Sequence, residues 1–425
     1  MVLLVLALFV LLLLNMPVAF AIAGASLIFL VFVGKYPLIL MIQQMFNGTD
    51  SFVFLAVPFF VLAGTLMERG KISDKLVSLS SSLMDRFTGG FAMATSLASM
   101  IFASISGSGP ATTAAIGGIT IPALIERGYK KEWVTGFQAA AGSIGPIIPP
   151  SITMVIFGAM AGTSIGAMFI GGIIPGVLIG LSLMMSGYFH AKKVGVPRST
   201  TTHSIGEVLK KLKEAAWALG MPVLILGGIL GGIFTPTEAA VVSVVYALLV
   251  AFFVYRTLQL SDLPQIFMDT AVISAVIMII LANAAGFAWI LSAEQGPQMA
   301  VALLKAITDN RYVTLLIINI VLLILGCFID TTSIIIMTVP VLVPLAKAMN
   351  IDLVHLGVVT TVNLCIGMVT PPLGLTLFTA CAMTKVSISD TARWLIPILA
   401  GMIIVLLLIT YFPWFVLVLP NLIIR

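Results

Sequence analysis

Apolar runs about twenty residues long recur along the chain, separated by short polar loops. Twenty helical residues rise about 30 Å, the thickness of a bilayer's hydrocarbon core. The pattern predicts about ten crossings, at 1–15, 17–34, 51–68, 133–162, 165–190, 215–235, 238–256, 266–291, 353–383 and 394–418. Two further apolar regions, 88–126 and 311–348, are interrupted at their centres by small and polar residues. The first carries Ser104-Ile-Ser-Gly-Ser-Gly-Pro110 and the second Asp330-Thr-Thr-Ser333. Each is read as a re-entrant helical hairpin with its tip near the midplane, although each could also be two full crossings. Non-helical backbone is tolerated at that depth where protein shields it or where it lines a cavity. Two stretches, 70–87 and 293–310, mix charges with apolar residues and are read as amphipathic arms lying in the interface.

The two halves share a pattern. A shift of 222 positions lays Pro122 on Pro344, Gly145 on Gly367, and Pro149-Pro150 on Pro371-Pro372. Each half is expected to make five crossings, an odd number, so the second copy enters from the opposite face. The expected fold is therefore an all-α polytopic membrane protein of two inverted-topology repeats, 1–190 and 215–425, joined by a cytoplasmic linker at 191–214. In the first repeat, arm 70–87 precedes hairpin 88–126 and a broken helix at 133–162. In the second, arm 293–310 precedes hairpin 311–348 and a broken helix at 353–383.

Composition agrees with the pattern. Of 425 residues, 60% are hydrophobic and 9% charged, with a mean hydropathy of +1.20, which leaves too few charges to clothe a soluble domain. The first run lacks the basic flank and small-residue cleavage site of a signal peptide and is expected to stay as a helix. The net charge of +5 does not point to nucleic acid, because the basic residues lie in loops between crossings. Sixteen of the 21 Lys and Arg fall on one side if the hairpins return to their own face, which makes that side cytoplasmic and places both termini outside. The count does not distinguish re-entrant from fully spanning hairpins. The three cysteines sit in apolar surroundings and read as packing residues.

Candidate chemistry gathers at the breaks. Glycines at the first tip let the backbone turn and bare its carbonyls, and Pro110 opens the returning helix at no hydrogen-bond cost. The prolines of Gly145-Pro-Ile-Ile-Pro-Pro150 remove backbone donors in mid-span. The carbonyls of Gly145, Ile148 and Pro150, with Ser106 facing them, then form an oxygen cage of sodium type. Gly367, Thr370 and Pro372, facing 326–330, repeat it in the second half. A simple proline kink is the plainer alternative. Asp330 is the acid placed deep at a tip. It needs a cation, a helix N-terminus or a substrate hydroxyl as partner, and it also reads as a helix N-cap. Ser108, Thr112, Ser164, Thr331 and Thr332, with Thr113 and Ser333, are candidate hydroxyls for a substrate, as is Asp330 itself. Glu238 reads as a helix N-terminal charge. The segment Gly64-Thr-Leu-Met-Glu-Arg-Gly70-Lys71-Ile72 fails the spacing of a phosphate loop, no His-Glu-x-x-His occurs, and no second deep acid is evident opposite Asp330.

The Ser106-Gly-Ser-Gly-Pro-Ala111 tip, Gly142-Ser-Ile-Gly-Pro-Ile-Ile-Pro-Pro-Ser151, Phe234-Thr-Pro-Thr-Glu-Ala239 and Gly367-Met-Val-Thr-Pro-Pro372 resemble the large membrane subunit of tripartite ATP-independent periplasmic (TRAP) transporters, along the whole chain. The resemblance implies a sodium-driven elevator of the ion transporter superfamily in the bacterial inner membrane. It implies a small four-helix membrane subunit and a periplasmic substrate-binding protein as partners, and at least two sodium ions. One ion falls to Ser106, Gly145, Ile148 and Pro150, and the other to Phe328, Asp330, Gly367, Thr370 and Pro372. The family's substrates are small organic acids such as C4-dicarboxylates and sialic acids, and the chain is similar to the sialic acid branch. A stand-alone divalent-anion/sodium symporter is the competing reading, and a membrane-embedded enzyme a third.

Overall fold

In lipid, a backbone has no water to satisfy its polar groups and must pair them within itself. In the computed structural model, which describes residues 1–196 and 204–424, the described residues do so as helices alone. Residues 197–203 of the expected linker, including Arg198, and Arg425 lie outside the described residues.

The chain opens with α1 (Val2–Leu13) and α2 (Val18–Val33), parted at Asn15-Met16-Pro17. Then come α3 (Ile39–Thr49), a short 3-10 turn leading into α4 (Ala56–Arg69), and α5 (Ile72–Met84). Helices α6 (Gly90–Ser106) and α7 (Gly109–Glu126) form a helical hairpin, and α8 (Lys131–Gly142) and α9 (Ile152–Ala161) are the two parts of a broken helix. Next are α10 (Ile165–Val194), α11 (Ile205–Leu230), α12 (Pro236–Leu249) and α13 (Leu263–Ala293). The second half continues with α14 (Gly296–Ile307), the hairpin α15 (Arg311–Gly326) and α16 (Thr331–Ala348), and the broken pair α17 (Leu353–Gly367) and α18 (Leu375–Thr384). It ends with α19 (Ile388–Tyr411) and α20 (Trp414–Ile423).

Most of the linker segment 191–214 that is described is helical, since α10 runs to Val194 and α11 starts at Ile205. The start at Ile205 is set by a capping box, in which Ser204 and Glu207 satisfy each other's backbone N–H. Helix α3 falls in a stretch assigned to no element by the hydropathy pattern. The apolar stretch 394–418 is divided between α19 and α20 at Phe412-Pro413, because proline offers no N–H and disfavours helix in the residue before it.

Seven described helices are long and apolar enough to cross a membrane by themselves, and α14 and α15 form a further pair bent by 118°. Helices α1 and α2 and the parts of the two broken helices are shorter than a lone crossing requires. An offset of 222 carries α7 onto the bounds of α16 and the start of α8 onto the start of α17.

Packing divides the described helices into two groups. Helix α13 packs on α2, α3 and α4, and α12 also packs on α4. The other group centres on α10, which touches α6, α9, α17, α19 and α20. Within it the halves interlock: α7 lies on α18 as well as α8, and α16 lies on α9 as well as α17. Helix α8 is buried from Trp133 to Gly142 and α17 from His355 to Gly367, so beyond their first two residues their side chains meet protein on every face.

Candidate functional site

The first break begins where α6 ends. Gly107 has φ +59, the left-handed region that suits glycine, and a Cβ there would lie 2.7 Å from the Pro150 carbonyl oxygen. A Cβ on Gly145 would overlap the Ser108 carbonyl and lie 2.7 Å from the Gly109 nitrogen. The hairpin tip and the unwound stretch between α8 and α9 are therefore in backbone contact, which two glycines alone permit. Among the described residues no donor reaches the carbonyls of Gly145, Ile148 or Pro150. The Ser106 hydroxyl, 5% exposed, lies 2.8 Å from the Thr112 hydroxyl, and Thr112 in turn donates to the Ser108 carbonyl at 2.8 Å. Ser106, Ser108, Gly145 and Pro150 thus meet in one buried, oxygen-rich spot. Ile148 points from the same stretch against Gly176 of α10. Bare carbonyls plus hydroxyls are the donor set of a hard monovalent or divalent cation.

The second break has the same plan and a more open surface. Gly326 and Gly367 touch, a Cβ on Gly367 reaching within 2.7 Å of the Gly326 Cα. Gly374, at φ +49, brings its backbone against the Met368 and Thr370 carbonyls. Part of the bared backbone is satisfied internally here. The Cys327 carbonyl accepts from Leu373 N–H and Gly374 N–H, the Met368 carbonyl accepts from Thr376, and the Gly367 carbonyl accepts from Thr370 N–H at 2.9 Å. The Thr370 hydroxyl donates to the Ile366 carbonyl. No donor among the described residues reaches the carbonyls of Thr370 or Pro372. Phe328 is exposed, as are Pro372 and Leu373.

Asp330 is the N-cap of α16. Its carboxylate accepts from Ser333 N–H at 2.9 Å and from the Ser333 hydroxyl at 2.5 Å. It also faces a cavity of about 290 Å³ lined by both tips: Ser106, Ser108 and Pro110 from the first, Asp330, Thr331 and Thr332 from the second. The Thr331 hydroxyl is buried with no hydrogen-bond partner among the described residues. The Thr112 hydroxyl sits behind this wall. The cavity's far wall comes from the other helix group, with Gly64, Thr65 and Glu68 of α4 and Ile273, Val276, Ile277 and Ile280 of α13. One wall is polar and broken, the other largely apolar and continuous.

Two candidates fall elsewhere. Ser164 is not among the cavity's lining residues; it caps α10 by accepting from Ala167 N–H at 3.2 Å and lines a separate cavity with Phe234, Pro236 and the end of α20. Thr113 turns from the tip to donate to the Gly109 carbonyl inside its own helix. Glu238 completes a capping box with Thr235, its carboxylate accepting from Thr235 N–H at 2.7 Å, in keeping with its reading as a helix N-terminal charge.

Glu68 was not singled out from the sequence, and the structure places this second acid in the same cavity as Asp330. The expectation that no other acid approaches Asp330 is corrected accordingly. Glu68 stands beside Arg69, which pairs with Asp269 at 2.8 Å. A single acid in the last turn of an apolar span reads as an end-of-helix charge, so only the packing of α4 against the tips reveals it. No Lys or Arg is among the described residues lining the cavity.

The fold is that of polytopic transporters. The YdaH transporter of Alcanivorax borkumensis superposes with a TM-score of 0.54 at 14% identity, covering 85% of this chain and 86% of that one. MtrF of Neisseria gonorrhoeae superposes at 0.57 with 15% identity, covering 88% and 83%. The chain belongs to the DctM component family of tripartite ATP-independent periplasmic transporters, whose pattern matches residues 5–415. It is 40% identical over 411 residues to the sialic acid TRAP transporter large permease protein SiaM of Vibrio cholerae, spanning 96% of this chain and 95% of the relative. It is also 40% identical over 378 residues to the C4-dicarboxylate TRAP transporter large permease protein DctM of Pseudomonas aeruginosa, spanning 89% and 88%. The isethionate TRAP transporter permease protein DctMQ of Oleidesulfovibrio alaskensis shares 40% identity over 399 residues, and there the chain spans 63% of the relative's length. The protein is thus a multi-pass membrane permease, and its relatives are named as transport proteins.

Proposed function

We propose that this chain is the large subunit of a sodium-driven importer of a small organic acid in the bacterial inner membrane. The observation that carries the reading is the meeting of two hairpin tips and two unwound helix stretches around one cavity, with uncapped carbonyls behind the polar wall. Sodium ions bind at Ser106, Gly145, Ile148 and Pro150, and in the second half around Asp330, Gly367, Thr370 and Pro372, with Phe328 contributing backbone alone. The acid binds in front of them, against Ser108, Thr331 and Thr332. With no basic side chain lining the cavity, the ions supply the positive charge the acid requires.

The corresponding helix bounds at an offset of 222, and the lodging of each hairpin's second arm on the other half's broken helix, support two inverted repeats. The group holding both breaks moves as one body against α4, α12 and α13, a motion supported by the largely apolar wall that α4 and α13 present to the cavity. A small four-helix subunit and a periplasmic binding protein complete the assembly, a reading supported by the tripartite periplasmic description of the family and by relatives named as large permease proteins. Sialic acids and C4-dicarboxylates are the substrate classes those names favour.

The test is uptake of labelled sialic acid, C4-dicarboxylate or isethionate into proteoliposomes holding the chain, its small subunit and the cognate binding protein, with sodium or choline outside. Uptake that needs both sodium and the binding protein supports the assignment. Equal uptake in choline removes sodium coupling, and equal uptake without the soluble protein turns the reading to a stand-alone symporter.

A further inference from the structure

Away from the cavity, the described residues hold a chain of buried amides whose orientation can be worked out link by link. The Thr410 hydroxyl on α19 donates to the Leu406 carbonyl at 2.7 Å, so its oxygen is left as an acceptor. Asn319 on α15 must therefore present its amide nitrogen to Thr410, at 2.9 Å. That turns the Asn319 side-chain oxygen toward α17. Asn363 on α17 then has to present its own nitrogen, and it donates to both the Asn319 side-chain oxygen and the Asn319 backbone carbonyl at 2.9 Å each. Asn319 and Asn363 are at most 1% exposed, so neither bond competes with water. The Asn363 oxygen is left buried without a partner, a cost accepted to keep both donors on α15.

The location gives this clamp a function. Asn363 stands one helical turn before Gly367, and Asn319 two turns before Gly326, the two glycines whose backbones touch at the second break. The first half carries a like device with a different register. Gln138 on α8, fully buried, donates to the Thr113 carbonyl of α7 at 3.2 Å, and its side-chain oxygen lies 3.0 Å from the Thr120 hydroxyl, which shares its hydrogen with the Ile116 carbonyl at 2.9 Å. One turn further along α8, Gly142 lies against Thr113, and Gly145 follows in the unwound stretch against the tip.

We propose that Asn363 and Asn319 are positioning residues for the second cation site, locking hairpin arm α15 to α17 so that the carbonyls of the break stand at ion-binding distance before the ion arrives. Gln138 serves the first site in the same way. The proposal rests on the sodium-coupled reading above. Preorganised ligands spare an ion the cost of ordering its own cage, so the clamp is read in sodium affinity and not only in stability.

The test is the melting temperature of the purified full chain in lipid nanodiscs, titrated with sodium chloride against choline chloride at constant ionic strength. A ligand that binds the folded state raises the melting point according to its occupancy. For Asn363→Ala we expect the sodium concentration at the half-point of that rise to move up about tenfold, equivalent to about 1.4 kcal/mol. The double variant Asn319→Ala/Asn363→Ala should move it no further, because both lose one shared contact. A melting point lowered equally at every sodium concentration, with the half-point unmoved, reduces the clamp to ordinary packing and overturns the proposal. If Asn363→Ala does not fold, Thr410→Val carries the test. It removes the acceptor that orients Asn319, together with the hydroxyl's bond to the Leu406 carbonyl of its own helix, and an unmoved half-point there overturns the proposal equally. A wild-type protein that sodium does not stabilise defeats the sodium-coupled reading and the clamp with it, an outcome distinct from unmoved variants of a sodium-responsive protein.

Discussion

Glycine carries the site at the scale of single residues, because the proposed ligands are backbone oxygens that only close approach brings together. A methyl group on Gly145 would occupy the space of the Ser108 carbonyl, so Gly145→Ala must push the tip away from the break. Uptake by this variant is expected to fall about tenfold or more, while Gly118→Ala, where a Cβ meets nothing within 4 Å, leaves it unchanged. Equal loss in both would mean that the close approach has no bearing on transport. Asp330 has two tasks that substitution can separate. Asp330→Asn keeps an oxygen to accept from Ser333 N–H, whereas Asp330→Ala loses the cap, at about 1 kcal/mol of stability. Both should abolish uptake, and only the alanine variant should also lower the melting point. Full uptake by Asp330→Asn would leave Asp330 as a helix cap alone. Asp330 and the Gly145 and Gly367 breaks were legible in the sequence, since a lone acid and paired prolines inside apolar runs are locally anomalous. Glu68 was not, because its position in the last turn of an apolar helix is ordinary until α4 is set against the tips.

Among the elements, arm α14 shows how a surface helix is held. Glu294, just before it, accepts from Lys35 Nζ at 2.8 Å and from the Tyr36 hydroxyl at 2.9 Å, and Tyr36 stacks edge-on with Trp289 at 5.2 Å. The hydrogen bond from Lys35, then that from Tyr36, holds the Glu294 carboxyl below its usual pKa of 4.5, and the same bond to Glu294 raises Lys35. A depressed carboxyl contributes stability above its unfolded pKa and loses it as pH falls through the lowered folded value. The tie is therefore complete at pH 7 and is released on acidification through the lowered carboxyl pKa. Protease cleavage near the arm should rise on acidification in the wild type, whereas Glu294→Gln should start high and show no such step. A wild type without the step would mean that the ion pair does not hold the arm. The separate helices at 72–84 and 296–307 and the helix breaks at both tips were readable from charge placement and from polar interruptions of apolar runs. Helix α3 was not, because a short segment rich in both apolar and amide residues resembles a loop until α13 packs on it.

Across the whole molecule, the cavity lies between the two helix groups, and that is where the proposed movement is expected. Thr65 on α4 and Thr332 at the second tip line opposite walls of it. In a background where Cys327, Cys365 and Cys381 are replaced, joining Thr65→Cys to Thr332→Cys with a short thiol cross-linker should stop uptake, and reduction of a cleavable linker should restore it. Undiminished uptake by the cross-linked protein would exclude relative motion of these two walls during transport. The apolar far wall bears on this prediction directly, since a sliding surface with hydrogen bonds would have to break them on every cycle.

Hydropathy determined that this chain lies in a membrane and is helical, and its glycines, prolines and polar interruptions marked the two tips and the two broken helices, though not the break at Phe412-Pro413. Those properties follow from the local cost of burying unpaired backbone, which is paid within a segment and so is written in that segment. The sequence paired each tip with the broken helix of its own half, but not the contacts across the two helix groups. That Ser164 faces a different cavity and that Glu68 lines the same cavity as Asp330 depend on packing between segments far apart in the chain. Only the tertiary structure decides such contacts, because each arises from two surfaces fitting together, and neither surface alone specifies its partner.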